Sequence, residues 1–130
     1  MNLTKSYKTS IATVNLLSEQ IIKNIIDDNS NIDVADLLEI KEANLKLANG
    51  KKYVVLVNSG HFTTITKEAR ELTASKEFVQ NTLAKAVLIN SLPHLLIGRF
   101  YIKFNKPHIK TELFKTRDKA IAWLKNELIK

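Results

Sequence analysis

The run Tyr53-Val54-Val55-Leu56-Val57, set between Lys51-Lys52 and Asn58-Ser59-Gly60, restricts the fold more than any other part of this 130-residue chain. Five successive apolar residues, four of them β-branched or aromatic, do not alternate with polar ones. Both faces of such a strand therefore meet protein rather than water. A strand covered on both faces belongs in the interior of a parallel or mixed sheet, with helices packed on it.

The segments around it supply those partners. Tyr7–Leu17 is strand-like, with Ile11, Thr13 and Val14. A turn near Leu17–Glu19 leads into the β-branched stretch Gln20–Ile26, which ends at the turn formers Asp27–Asn31; the pair reads as a hairpin. Asp33 is placed to N-cap a helix over Val34–Ala48, with Asp36, Glu39 and Glu42 early, Lys46 late and Asn49-Gly50 as the stop. Thr66 is placed to cap a second helix, predicted over Lys67–Leu83, and Ala86–Ile89 reads as a short strand. Ser91-Leu92-Pro93 opens a third helix running to about Phe104, since Pro suits a first turn. Ile109–Lys115 alternates as a strand, and Thr116 caps a final helix, Arg117–Ile129. The order β-β-α-β-α-β-α-β-α predicts an α/β fold: one domain over 1–130, with a central mixed sheet of about five strands and helices packed on it.

Composition narrows the class of role. With no cysteine, a disulfide scaffold, a thiolate zinc site and thiol catalysis are excluded. No stretch approaches the roughly 18 consecutive apolar residues of a membrane span, and the N-terminus lacks a signal-peptide pattern, so a cytoplasmic location is expected. The net charge of +7 is uneven. Residues 1–65 carry seven Lys/Arg and seven Asp/Glu, and residues 66–130 carry thirteen against six. Such a basic half suits a solvated surface, or contact with acidic proteins or an anionic membrane surface. No nucleic-acid-binding motif accompanies it, so no nucleic acid partner is expected.

The succession LPHLLIGRFYIKFNKP at Leu92–Pro107 and IKTELFKTRDKAIAWLK at Ile109–Lys125 resembles the small SpoIIAA-like (STAS-like) bacterial proteins. The points that carry the likeness are I-G-x-F-x-x-x-x-N-K-P at Ile97–Pro107, Leu113-Phe114, A-x-x-W-L at Ala120–Leu124, and TITKEAR at Thr64–Arg70. The resemblance implies a STAS-like fold and a non-enzymatic, regulatory role exercised through a protein partner or self-association, including a homodimer. In the antagonist proteins of that group a D-S-S-G motif enters a helix where a partner kinase phosphorylates a serine. Laid onto this chain it falls on Ile65-Thr66-Lys67-Glu68, where only Thr66 keeps a hydroxyl and Glu68 would repel a phosphate. That departure favours a plain helix cap at Thr66.

Three groups of residues stand out as site candidates. The loop after the buried strand, with Asn58, Ser59, His61, Thr64 and Thr66, lies where α/β sheets tend to bind ligands. Ser59 and His61 do not make a catalytic pair on spacing alone. His61, His94 and His108 stand too far apart for a local metal motif, so no metal, cofactor or catalytic residue is expected. In the Pro93–Phe104 helix, Ile97, Phe100, Tyr101 and Phe104 form an apolar face opposite the basic edge Arg99, Lys103 and Lys106. The aromatics are expected to join the core. Leu95, Leu96 and Ile102 give this helix more apolar surface than one sheet face needs. That excess points to a dimer contact, or to a carrier of a small apolar or lipid-like ligand beneath residues 93–106.

Overall fold

The computed structural model describes residues 5–130. A six-stranded mixed sheet runs in the order β1 (Ser6–Lys8), β2 (Ala12–Ser18), β3 (Ile21–Ile26), β5 (Tyr53–Asn58), β7 (Thr82–Leu88), β8 (Lys110–Phe114). The first three strands form an antiparallel meander, and β3, β5, β7 and β8 are mutually parallel. The two-residue strands β4 (Asn31–Ile32) and β6 (Thr64–Ile65) pair separately, in parallel.

Tyr53–Val57 is an interior strand, and its two faces feed two cores. Tyr53 and Val55 pack with Ile22, Ile40, Ala43 and Leu47 beneath helix α1 (Val34–Ala48). Val54 and Leu56 pack with Ala84, Ala86, Ala120 and Leu124 of β7 and helix α4 (Arg117–Leu128). Tyr53, Val54 and Leu56 are 0% exposed and Val55 is 4% exposed, so the apolar run is covered on both faces as far as Leu56, while Val57 is only partly buried.

Local chemistry sets the helix ends. Asp33 accepts from the Asp36 N–H while the Asp36 carboxylate accepts from the Asp33 N–H, a reciprocal box that satisfies two free donors. Asn49 closes α1 in the left-handed region (φ 51°), followed by Gly50 (φ 84°). Thr66, Ser91 and Thr116 cap the later helices by accepting from Ala69, His94 and Lys119.

Four expectations change. Tyr7–Leu17 is broken at Thr9, whose side chain accepts from the Ile11 and Ala12 N–H groups; this turn creates the edge strand β1 and brings the sheet to six strands. Helix α2 spans only Lys67–Ala74. Ser75 turns extended, donates its hydroxyl to the Leu72 carbonyl and accepts from the Phe78 N–H, which diverts the chain before Thr82. Strand β7 consequently starts at Thr82 rather than Ala86. Finally, helix α3 (Leu92–Phe100) does not continue regularly but widens into a π-helical segment, Tyr101–Asn105, ended by Lys106 at φ 49°.

Candidate functional site

Helices α1, α2 and α3 lie over one face of the sheet, and between them and β3, β5, β7 and β8 is a cavity of about 920 Å³. That is toward the upper end of the size range of small-molecule sites. Its floor alternates correctly for one sheet face: Asn24 and Ile26 of β3, Tyr53, Val55 and Val57 of β5, Lys85 and Val87 of β7, Thr111 and Leu113 of β8. Helix α1 supplies Leu37, Ile40, Lys41 and Asn44, and α2 supplies Arg70 and Thr73.

Helix α3 covers the cavity without sinking into it. None of its nine residues is buried; Leu92, Leu96, Ile97 and Phe100 are 66%, 55%, 51% and 50% exposed. Gly98 faces Leu113 of β8. A Cβ there would stand 3.0 Å from both methyls of Leu113. The exposed wall residues Phe62, Leu96, Ile97 and Phe100 mark the opening, at the carboxyl ends of β5 and β7. Phe62 holds a left-handed backbone (φ 57°) and is 87% exposed, an uncommon placement for a bulky residue.

The loops that frame this opening are tied together. The His61 N–H donates to the Asp28 carboxylate, the Asn29 N–H to the His61 carbonyl, and the Thr64 N–H to the Ser30 carbonyl. The Thr64 hydroxyl donates to Asn31 Oδ1 at 2.8 Å. Gly60 is required here because a Cβ would lie 2.6–2.7 Å from the backbone of Asp27 and Asp28. Across the opening, Asn90 Nδ2 donates to the Ser59 carbonyl at 3.2 Å.

Polar groups collect at two places inside. Lys41 Nζ donates to Tyr53 Oη (2.9 Å), the Gln80 carbonyl (2.8 Å) and Thr82 Oγ1 (3.1 Å). Lys85 Nζ donates to Thr73 Oγ1 at 3.0 Å and lies 5.9 Å from the centre of the Tyr101 ring. Burial lowers both lysines from 10.5 to about 8, and the Lys41 charge adds to the effect at Lys85. Burial also pushes the Tyr101 phenol up to about 12; the adjacent Thr73 hydroxyl offsets part of this without completing a hydrogen bond. Among the described residues the cavity wall carries no Asp or Glu. Asn24 and Asn44 satisfy each other in the floor, at 2.8 and 3.3 Å.

The residues singled out from sequence divide accordingly. Ser59, His61 and Thr64 line the cavity, as do Ile97, Phe100 and Tyr101. Asn58 ends β5 beside them, and Thr66 is occupied as the α2 cap. Phe104 lies outside the wall, 61% exposed, with its ring centre 4.6 Å from that of Phe100. Phe100 and Phe104 are therefore not core, a correction to the expectation above, because α3 stands off the sheet. The π-helical turn separates Tyr101 from them, and its hydroxyl is buried. Arg99, Lys103 and Lys106 are all exposed. Arg99 borders a shallow groove with Ile102, Glu112 and Lys115, and Lys103 lies 5.4 Å from the Phe104 ring centre.

Lys41, Arg70, Thr73 and Lys85 were not apparent from the sequence. The available signal was Lys85 itself, an ionisable residue between Ala84 and Ala86, both 0% exposed. Lysine there looks like the end of a helix unless the strand is already known to begin at Thr82.

The family model described as "Domain of unknown function (DUF7793)" matches residues 15–128, nearly the whole chain. The chain belongs to this family. The DUF7793 fold is similar to the crystal structure of an uncharacterised protein of the DUF3478 family, with a SpoIIAA-like fold, from Shewanella loihica PV-4. The TM-score is 0.55 at 11% identity, covering 94% of this chain and 92% of that one. The SpoIIAA-like resemblance thus holds at the level of fold. No curated protein matches the chain. Among the described residues no helix is long and apolar enough to cross a membrane.

Proposed function

We propose that this DUF7793 domain is a non-enzymatic binding module that houses a small, predominantly apolar molecule beneath α3. The observation that carries the reading is the cavity of about 920 Å³ under a helix with no buried residue. A helix whose apolar side chains stand away from the sheet gains little from packing on it. A ligand that fills the space would bring Leu96, Ile97 and the Val57 floor out of contact with water. The loops at the opening, held by the β4–β6 pair and Gly60, form a fixed rim against which α3 can close.

The test is uptake of a fluorescent apolar probe, compared between the wild type and Val57→Trp, in which an indole projects into the cavity. At least a tenfold loss of affinity in the variant is expected. Equal uptake would assign the probe to the outer surface and remove the proposal.

A second reading follows from the outer surface. Leu92, Phe100 and Phe104 are exposed beside Arg99, Lys103 and Lys106, a combination suited to a protein partner with an acidic rim or to a second copy of the chain. Sedimentation of Phe104→Asp against the wild type, at low and high salt, tests it. A concentration-dependent assembly lost in the variant supports this surface. A wild type monomeric at all concentrations removes self-association, and partner binding insensitive to salt removes the basic residues.

A further inference from the structure

Resting on the cavity reading, we propose that the bound molecule is an amphipathic anion whose carboxylate is held by Lys85, Tyr101 and Thr73, with its apolar tail along Val57, Ile40 and Leu37. Three separate elements, β7, α2 and the π-helical segment, bring these polar groups to one wall.

The donors there outnumber their acceptors. Lys85 Nζ has one partner, the Thr73 hydroxyl, for its three N–H groups. The buried Tyr101 hydroxyl has none. One helical turn before Thr73, the Arg70 Nε is also buried without a partner, while its Nη1 donates to the Ile65 carbonyl. Two of the three buried, unpartnered polar side-chain atoms among the described residues are thus donor groups of cavity-lining side chains. Buried donors left in this state are costly.

What the wall lacks is an acceptor with negative charge. No carboxylate side chain lines the cavity among the described residues, although two lysines and an arginine do. The low-lying Lys85 pKa agrees, since burial first and the nearby Lys41 charge second disfavour the ammonium. A carboxylate would accept from Lys85 and Tyr101 together and recover the charge-assisted bonds that the wall offers. Lys41 is a poorer anchor because three neutral oxygens already take its N–H groups. The π-helical turn has a role in this arrangement. It sets the Tyr101 hydroxyl inward while Phe100 stays at the exposed rim and Phe104 lies outside the wall, and such turns recur at functional sites.

The experiment is calorimetric titration with decanoate, 1-decanol and decyltrimethylammonium, each below its aggregation concentration. The proteins are the wild type, Lys85→Met, Lys85→Arg and Tyr101→Phe, with folding checked by the fluorescence of the single Trp123. Decanoate is expected to bind the wild type at least tenfold tighter than decanol, with the cation weakest. Lys85→Met should weaken decanoate about ten- to a hundredfold and leave decanol unchanged. Lys85→Arg should restore most of the difference, and Tyr101→Phe should cost several-fold. Decanol binding as tightly as decanoate would overturn the carboxylate site and leave the apolar cavity standing. Binding of neither would overturn both. A loss in Lys85→Met shared equally by acid and alcohol would mean a structural role only, and would also overturn the site.

Discussion

Replacing Lys85 by Met removes the buried ammonium while keeping an unbranched side chain, and the ligand-free protein is expected to gain stability. A lysine held at about 8 in the folded state, against 10.5 unfolded, opposes folding at neutral pH by ~3 kcal/mol, since each tenfold step in proton affinity is worth ~1.4 kcal/mol. Met also forfeits the Lys85–Thr73 hydrogen bond, worth about 1 kcal/mol. The net gain is about 2 kcal/mol at pH 7, a rise in Tm of roughly 6–10 °C for a chain of this size. The pH dependence has a definite sign. Between pH 8 and 10.5 the unfolded chain holds more protons than the folded one, so wild-type stability rises with pH across that window. Lys85→Met should lose about half of that rise, the rest being due to Lys41, whose ammonium is lowered as far. Urea unfolding at pH 7, 9 and 10, followed by Trp123, measures both effects. A variant less stable than the wild type at pH 7, or a wild type whose stability is flat from pH 7 to 10, would refute the buried-charge argument.

Gly60→Ala should destabilise by about 1–3 kcal/mol, because the added methyl meets the Asp27-Asp28 backbone rather than a side chain that can move. Hydrogen exchange should show the loosening confined to the β4–β6 pair, and unchanged protection there would contradict the close approach. Asn44→Leu should cost about 1–3 kcal/mol by leaving Asn24 unsatisfied. In the double variant with Asn24→Leu much of that loss should return, and denaturation of the three variants reads the coupling.

What could be seen in the sequence was whatever depends on few, near neighbours. Asp33 and Asp36, Asn49-Gly50, Thr66 and Thr116 announce helix ends because a cap acts within three or four residues. Tyr53–Val57 announces an interior strand because burial on both faces leaves no polar alternation. The misses share a different cause. Ser75 stops α2 through bonds to Leu72 and Phe78, within a stretch whose composition remains helix-compatible. Thr9 folds the first strand back by a side-chain turn that β-branched content conceals. The cavity was legible only as surplus apolar surface on the Pro93–Phe104 segment. Its polar wall was not, because Arg70, Thr73, Lys85 and Tyr101 meet only through the tertiary fold.

The wide turn at Tyr101–Asn105 also bears on how the chain tolerates insertions and deletions. A π-helical turn accommodates one residue more than the regular spiral would at that place. Deleting a single position there would let the segment relax to ordinary geometry while rotating everything before it. Sequences one residue shorter in this stretch would keep the architecture yet present a different side chain to the interior, and so select a different guest.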